Sequence, residues 1–174
     1  GDRKLVGIVA SLASPVNPVT GTMNNPPNLP GWDNFSLKPL LEATFNLPFW
    51  AANDATLGAI GEHACGIGQG ISNLLYITVS TGIGGGIIVN GSPFLGSRGF
   101  AGELGHMSID RNGPSCACGN RGCLEMFASG TAIARFARER LENGETSLIL
   151  EMAGKDITNV NSKMVMEAAD RRDP

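Results

Sequence analysis

Three of the chain's four cysteines crowd into eight positions, Cys116-Ala-Cys118-Gly-Asn-Arg-Gly-Cys123, while Cys65 stands alone. Thiolate sulfurs are soft metal ligands, and neighbouring glycines let the backbone turn several of them toward one point. A tetrahedral zinc site takes four ligands, usually Cys and His. His106, ten residues before Cys116, is the natural fourth; the only other histidine, His63, sits inside a helix-like run. Such crowding suggests metal before disulfides. The Cys-x-Cys-x4-Cys spacing is tighter than the common two-by-two finger pattern. Three reduced thiols beside a loop histidine therefore stay open as the alternative.

Asp54 follows Asn53 at a strand-to-helix junction. Ligands of open α/β sheets gather at the carboxyl ends of strands, where a carboxylate can take a proton from a substrate hydroxyl. The competing reading is an aspartate placed there by the helix macrodipole. Glu103 lies three residues before His106, and Glu125 two residues past Cys123. If zinc gathers the cluster, these carboxylates are drawn in with it. Several hydrogen-bonding groups would then face one place, which suits a polyhydroxylated ligand such as a sugar. Without zinc they read as ordinary surface carboxylates. Ser80-Thr81-Gly82-Ile83-Gly84-Gly85-Gly86 follows a strand. Its glycines would let backbone N–H groups approach phosphate oxygens, with the Thr81 hydroxyl as a further donor. No Gly-Lys-Ser/Thr follows, and the run leads into a strand, so it is neither a Walker A loop nor a Rossmann turn. A plain tight hairpin is equally compatible.

The elements that must position these residues alternate. Lys4–Ala10 reads as a buried strand, followed by a Pro- and Gly-punctuated stretch on the surface or along a cleft. Ser36–Phe45 reads as a helix with Ser36 as N-cap, Leu47–Ala52 as a strand, and Asp54–Ala64 as a helix. Asn73–Ser80 and Gly86–Asn90 read as strands, and Asn90-Gly91 signals a hairpin turn. Gly105–Ile109 reads as a short strand and Arg111–Gly122 as a loop. Thr131–Glu142 and Ser162–Asp170 read as helices, the first closed by Asn143-Gly144. Strands and helices in alternation argue an α/β fold.

Composition removes other classes. With 13 basic and 16 acidic residues, a net of −3, the chain lacks the basic excess of a general nucleic-acid-binding surface. Hydrophobic residues make up 42% and charged residues 17%, which argues against long disorder. No apolar run approaches the ~18–20 residues that span a bilayer. The opening Gly-Asp-Arg-Lys runs straight into a strand rather than a signal peptide, so a cytoplasmic location is expected. The 24 glycines are not periodic, which excludes collagen and points to turns and ligand-binding loops.

Taken in order, Asn53-Asp54-Ala55, Thr81-Gly82-Ile83-Gly84-Gly85-Gly86, Gly102-Glu103-Leu104-Gly105-His106 and Cys116-x-Cys118-Gly-x-x-Gly-Cys123-x-Glu125 resemble the ROK family. Its members are bacterial-type sugar kinases, sugar-responsive repressors and the kinase half of a bifunctional sialic-acid-pathway enzyme. Pro26-Pro27-Asn28-Leu29-Pro30-Gly31-Trp32 also looks like its Asn-Leu-Pro-Gly-Trp segment. The match runs over roughly residues 4 to 172.

The resemblance implies a two-domain α/β fold of the actin-like ATPase type (hexokinase-like, ribonuclease H-like), with a sugar in the cleft. Residues 1–52 would be a remnant of the small N-terminal domain. Residues 53–174 would be part of the larger one, with the zinc loop at 106–123. On that resemblance Asp54 is the catalytic base, and Asn53, Glu103, His106 and Glu125 hold the sugar hydroxyls. Thr81 and Gly82 face the ATP phosphates. His106, Cys116, Cys118 and Cys123 bind structural zinc, His106 using one ring nitrogen for the metal and the other for the sugar. ATP with Mg2+ is the implied co-substrate. A sugar and ATP are the partners, and the protein is expected as a homo-oligomer, dimer or tetramer. No membrane is involved, and nucleic acid enters only if the parent is a repressor.

The family's Asp-x-Gly-Gly-Thr-like phosphate loop and its later adenosine site are not found here, so the chain is expected to be the middle of such a kinase, truncated at both ends. Ser14 stands where the family usually has a glycine near the sugar, which bears on sugar preference. The reading is therefore an ATP-dependent kinase of a hexose or N-acetylhexosamine. A repressor's sugar-sensing effector domain and an inactive sugar-binding fragment are the alternatives.

Overall fold

Strand β1, Ile8–Leu12, pairs in parallel with β2, Phe49–Asn53, in register from Ile8 opposite Phe49 to Leu12 opposite Asn53. The computed structural model describes residues 4–24, 26 and 29–173. Pro27 and Asn28 of the Asn-Leu-Pro-Gly-Trp-like run lie outside the described residues, as do the opening Gly1-Asp2-Arg3 and the final Pro174. The strand expected at Lys4–Ala10 starts and ends later and is only half-buried, with Leu5 and Val6 exposed. Apolar content marks a strand but not its register. That is set by β2, beginning where the Ile8 amide donates to the Pro48 carbonyl at 2.9 Å.

A parallel pair requires a crossover, supplied here by residues 13–48. The Pro/Gly-rich part folds back on itself through the bridges Val16–Met23 and Thr22–Ser36, burying Val16 and Met23. It ends in helix α1, Lys38–Phe45. Ser36 does not cap this helix. Its hydroxyl donates to the Thr20 carbonyl at 2.7 Å, and the N-cap is Leu37 with no side-chain bond.

Helix α2, Asp54–Cys65, starts directly from the end of β2, with the Asn53 side chain accepting from the Ala55 amide at 2.9 Å. It presents Ala55, Gly58 and Ala59, and small residues let it lie close to the sheet β3-β4-β5 (Leu74–Val79, Ile83–Val89, Ser92–Pro93). A Cβ on Gly86 would stand 2.5 Å from the Ala59 Cβ, and one on Gly58 would stand 2.8 Å from the Tyr76 ring. Gly84, Gly85 and Gly86 thus belong to β4, which begins at Ile83 rather than Gly86. The turn shrinks to Ser80–Gly82 because the Ser80 amide already donates to the Gly82 carbonyl at 2.9 Å. The turn into β5 follows the Asn90-Gly91 signal, with φ of 50° and 74°.

No strand forms over Gly105–Ile109. Leu104–His106 makes one 3-10 turn, and Ser108 bridges to Cys123 instead. A Cβ on Gly105 would stand 2.2 Å from the Ile83 carbonyl oxygen, so this turn sits tightly on the start of β4. Four helices follow: α3 (Glu125–Ala128), α4 (Gly130–Glu142), α5 (Leu148–Met152) and α6 (Ser162–Asp170). The last three enclose a core of Leu141, Ile149, Ala153, Val160 and Ala168.

The chain forms two compact units, Gly1–Ile77 with Gly85–Glu103, and Thr78–Gly84 with Leu104–Pro174. Compactness thus divides the chain at other points than 52/53. No helix among the described residues is long and apolar enough to cross a membrane.

Candidate functional site

In the second unit, residues 106–123 form a knuckle. The 3-10 turn delivers His106. The chain then pairs back on itself, with Ile109 donating to the Gly122 carbonyl and Cys116 to the Asn120 carbonyl, both at 2.8 Å. The ligand atoms of His106, Cys116, Cys118 and Cys123 all lie within 4.8 Å of one another. Cys116 Sγ is 3.6 Å from His106 Nδ1, and Cys118 Sγ is 3.6 Å from Cys123 Sγ. With Zn–S near 2.3 Å and Zn–N near 2.0–2.1 Å, a tetrahedron has S–N edges of about 3.5 Å and S–S edges of about 3.8 Å. The donor set and these two separations are compatible with zinc, with Nδ1 as the nitrogen turned to Cys116. Burial, then the neighbouring Cys118 and Cys116 thiols, push Cys123 up to about 12. At Cys118 desolvation acts in the same direction. Hydrogen bonds from the Asn120 backbone and from the other two thiols outweigh it and hold that thiol below its ordinary value.

Two residues beyond Cys123, Glu125 opens α3. Its Oε2 accepts from the Ile83 amide at 2.7 Å, at the first residue of β4. The same oxygen lies 2.4 Å from where a Cβ on Gly82 would stand, so that position admits only glycine unless the carboxylate moves. The Ser80 and Thr81 carbonyls accept from the start of α4, from the Gly130 amide and the Thr131 hydroxyl, both at 2.8 Å. Ser129 caps α4 by accepting from the Ala132 amide at 3.1 Å.

In the first unit, Asn53 and Asp54 sit where β2 becomes α2. Both side chains accept from the Ala55 amide, at 2.9 and 2.8 Å, and Asp54 is solvent-exposed. Glu103 is half-buried and follows Gly102, whose φ of 97° and approach to the Gly85 carbonyl leave no room for a side chain. The expected site residues therefore fall into groups. The metal-ligand set is gathered in one cluster, and Glu125 is joined to the Thr81-Gly82 turn. Asn53, Asp54 and Glu103 belong to the first unit.

Residues 2–170 match the model of the ROK family. The chain belongs to the ROK family. It is 41% identical to a glucokinase from Halalkalibacterium halodurans over 97% of this chain and 51% of the relative. It is 39% identical to a xylose repressor from Bacillus spizizenii over 75% of this chain and 34% of the relative. Among solved structures, a ROK glucokinase from Streptomyces griseus in complex with glucose and AMPPNP superposes with a TM-score of 0.84. It is 33% identical, over 98% of this chain and 55% of that one. The chain spans about a third to a half of the length of these curated relatives. Its fold is the mixed α/β, actin-like ATPase fold of ROK kinases and regulators.

The ROK motifs do not mark every residue at the site. A cavity of about 700 Å3 in the second unit has Thr81, Thr131, Arg138, Asn161 and Ser162 in its wall. Of these, only Thr81 lies in one of the sequence motifs. The Ser129-Gly130-Thr131 run that opens α4 was the available signal, because a buried serine before a helix marks its cap. Arg138 carries no local signal; it donates to the Val160 carbonyl at 2.8 Å. Ser14, the departure from the ROK pattern, is buried. Its hydroxyl lies 3.1 Å from both the Pro15 and Asn24 carbonyl oxygens and is engaged with the backbone of its own loop.

Proposed function

We propose that this chain is part of an ATP-dependent kinase that phosphorylates a hexose or N-acetylhexosamine. The observation that carries this reading is Asp54. An exposed carboxylate stands at the carboxyl end of a strand, with Oδ1 fixed on the Ala55 amide. A sugar sensor needs hydrogen bonds to its ligand; only a kinase needs a base for the attacking hydroxyl.

Asp54 takes the proton from the sugar hydroxyl as that oxygen attacks the γ-phosphorus of ATP, and ADP leaves. Phosphoryl transfer asks the protein chiefly to position groups and to stabilise charge. Asn53, Glu103, His106 and Glu125 bind and orient the sugar hydroxyls. The Thr81 hydroxyl and the Thr81-Gly82 backbone meet the phosphates of MgATP. The neighbouring cavity, with Thr131, Arg138 and Asn161 in its wall, has a volume in the range that ligands occupy, about 300–1,000 Å3. His106 Nδ1, Cys116, Cys118 and Cys123 would hold zinc, which would rigidify the knuckle and fix the imidazole tautomer. This directs Nε2, on the far side of the ring, to the sugar.

The test is ADP release by the intact, zinc-loaded protein with ATP, Mg2+ and a panel of hexoses and N-acetylhexosamines. Turnover with one sugar is the expected result. Silence across the panel, with zinc and fold intact, refutes the kinase. The 39% identity to a xylose repressor supports a second reading, a sugar-sensing effector domain. Operator binding by the intact protein, released by sugar and without ATP turnover, would establish it.

A further inference from the structure

Glu125 has a contact that sugar binding does not explain. Its half-buried carboxylate reaches 42 positions back along the chain to accept from the amide of buried Ile83 at 2.7 Å. It also fills the place of a side chain at Gly82. The turn it touches is gripped from the other side as well. The Gly130 amide holds the Ser80 carbonyl and the Thr131 hydroxyl holds the Thr81 carbonyl. Residues 125–131 thus clamp the turn by its amide side at one end and by its carbonyl side at the other.

The clamp is anchored in the metal knuckle. The Leu124 amide donates to the Met107 carbonyl at 2.9 Å, one residue from His106, and the Met126 amide donates to the Cys123 carbonyl at 2.9 Å. Glu125 is therefore fixed between a metal ligand two residues before it and the turn it holds.

We propose that Glu125 is a positioning residue for the phosphate-donor side: its carboxylate sets the Thr81-Gly82 turn, and the metal knuckle holds Glu125 in place to do so. The donor clause rests on the kinase reading; the clamp itself does not. Metal binding is thereby coupled to the nucleotide as well as to the sugar.

The experiment compares the intact, metal-loaded protein with Glu125→Ala and Glu125→Gln. Glutamine keeps an oxygen that can accept from Ile83; alanine does not. Amide hydrogen exchange over Ser80–Gly84 and calorimetric binding of MgAMPPNP are the readouts. In Glu125→Ala, exchange at Ile83 should quicken and AMPPNP binding weaken, each by about tenfold, the size of one lost hydrogen bond. In Glu125→Gln both should stay within about threefold of wild type, whatever happens to sugar binding. Chelation of the metal from wild type should release Ser80–Gly84 while α4 and α6 keep their protection.

Equal damage by alanine and glutamine, or unchanged Ile83 protection in Glu125→Ala, overturns the clamp. Chelation that leaves Ser80–Gly84 protected, or that opens the whole unit, overturns the coupling to the metal. Wild-type protein that binds sugar but no AMPPNP refutes the kinase reading and the donor clause with it. The exchange measurements still decide the clamp.

Discussion

Asp54 shares the Ala55 amide with Asn53, so the carboxylate proposed as base is oriented by the first turn of α2. Asparagine at 54 keeps an oxygen for that amide and the shape of the helix start, but cannot take a proton. Asp54→Asn should therefore lower kcat by about 10²–10⁴-fold with little change in sugar affinity, the usual contribution of a general base. Steady-state kinetics paired with sugar binding by calorimetry would check this. An unchanged kcat would remove Asp54 from the chemistry. Cys123 raises a different question. Its thiol is pushed up to about 12, so in metal-free protein it keeps its proton at neutral pH, and metal must displace that proton. Apparent zinc affinity should rise with pH, by roughly tenfold per pH unit for each proton displaced. Competition against a chromophoric chelator at two pH values, with proton release followed in weak buffer, measures the slope.

At the scale of elements, two contacts set how the site is carried. Gly86 lies on α2 so closely that a methyl group would meet the Ala59 Cβ at 2.5 Å and the Ala55 carbonyl oxygen at 2.7 Å. Gly86→Ala should destabilise the first unit by about 1–3 kcal/mol, since backbone rather than a flexible side chain must give way. Ser129 caps α4 from a buried position. Ser129→Ala should cost about 1 kcal/mol. In a chain of this size that is a fall of about 2–4 °C in Tm, read by calorimetry. Helix α6 was legible within its own residues because Met164, Val165 and Ala168 keep helical spacing; in the structure they face the core and Asn161 caps the helix. Helices α3 and α5, of four and five residues, are too short to show a period. Ser36 looked like a cap but serves the Thr20 carbonyl, because the bridge at Thr22 brings that loop against it.

At the scale of the whole molecule, what the sequence displayed was chemistry in local runs. The ligands of the knuckle are spaced along one stretch, and their cluster was legible from cysteine crowding and one nearby histidine. The link from Glu125 to Ile83 was not, because nothing in either run marks a partner 42 positions away. The same limit hid Arg138 and Asn161 in the wall of the cavity. The glycine run was open to two readings. Ligand loop and plain hairpin were equally compatible with it; Gly84, Gly85 and Gly86 lie within β4, and Gly86 is bare because a helix needs the space.

The register of β1 on β2 bears on how such a chain can diversify. Phe49, Ala51 and Asn53 share one face of β2, and Trp50 and Ala52 the other. Inserting or deleting one residue between Phe49 and Asn53 would turn Asn53 over to the Trp50 side and displace the start of α2 with it. A change of two would restore the face. The length of β2 is thus free to vary only in even steps, a parity that does not bind the loops of the crossover before it. Natural variation in length among relatives should collect in residues 13–37 and, between Phe49 and Asp54, occur only in steps of two.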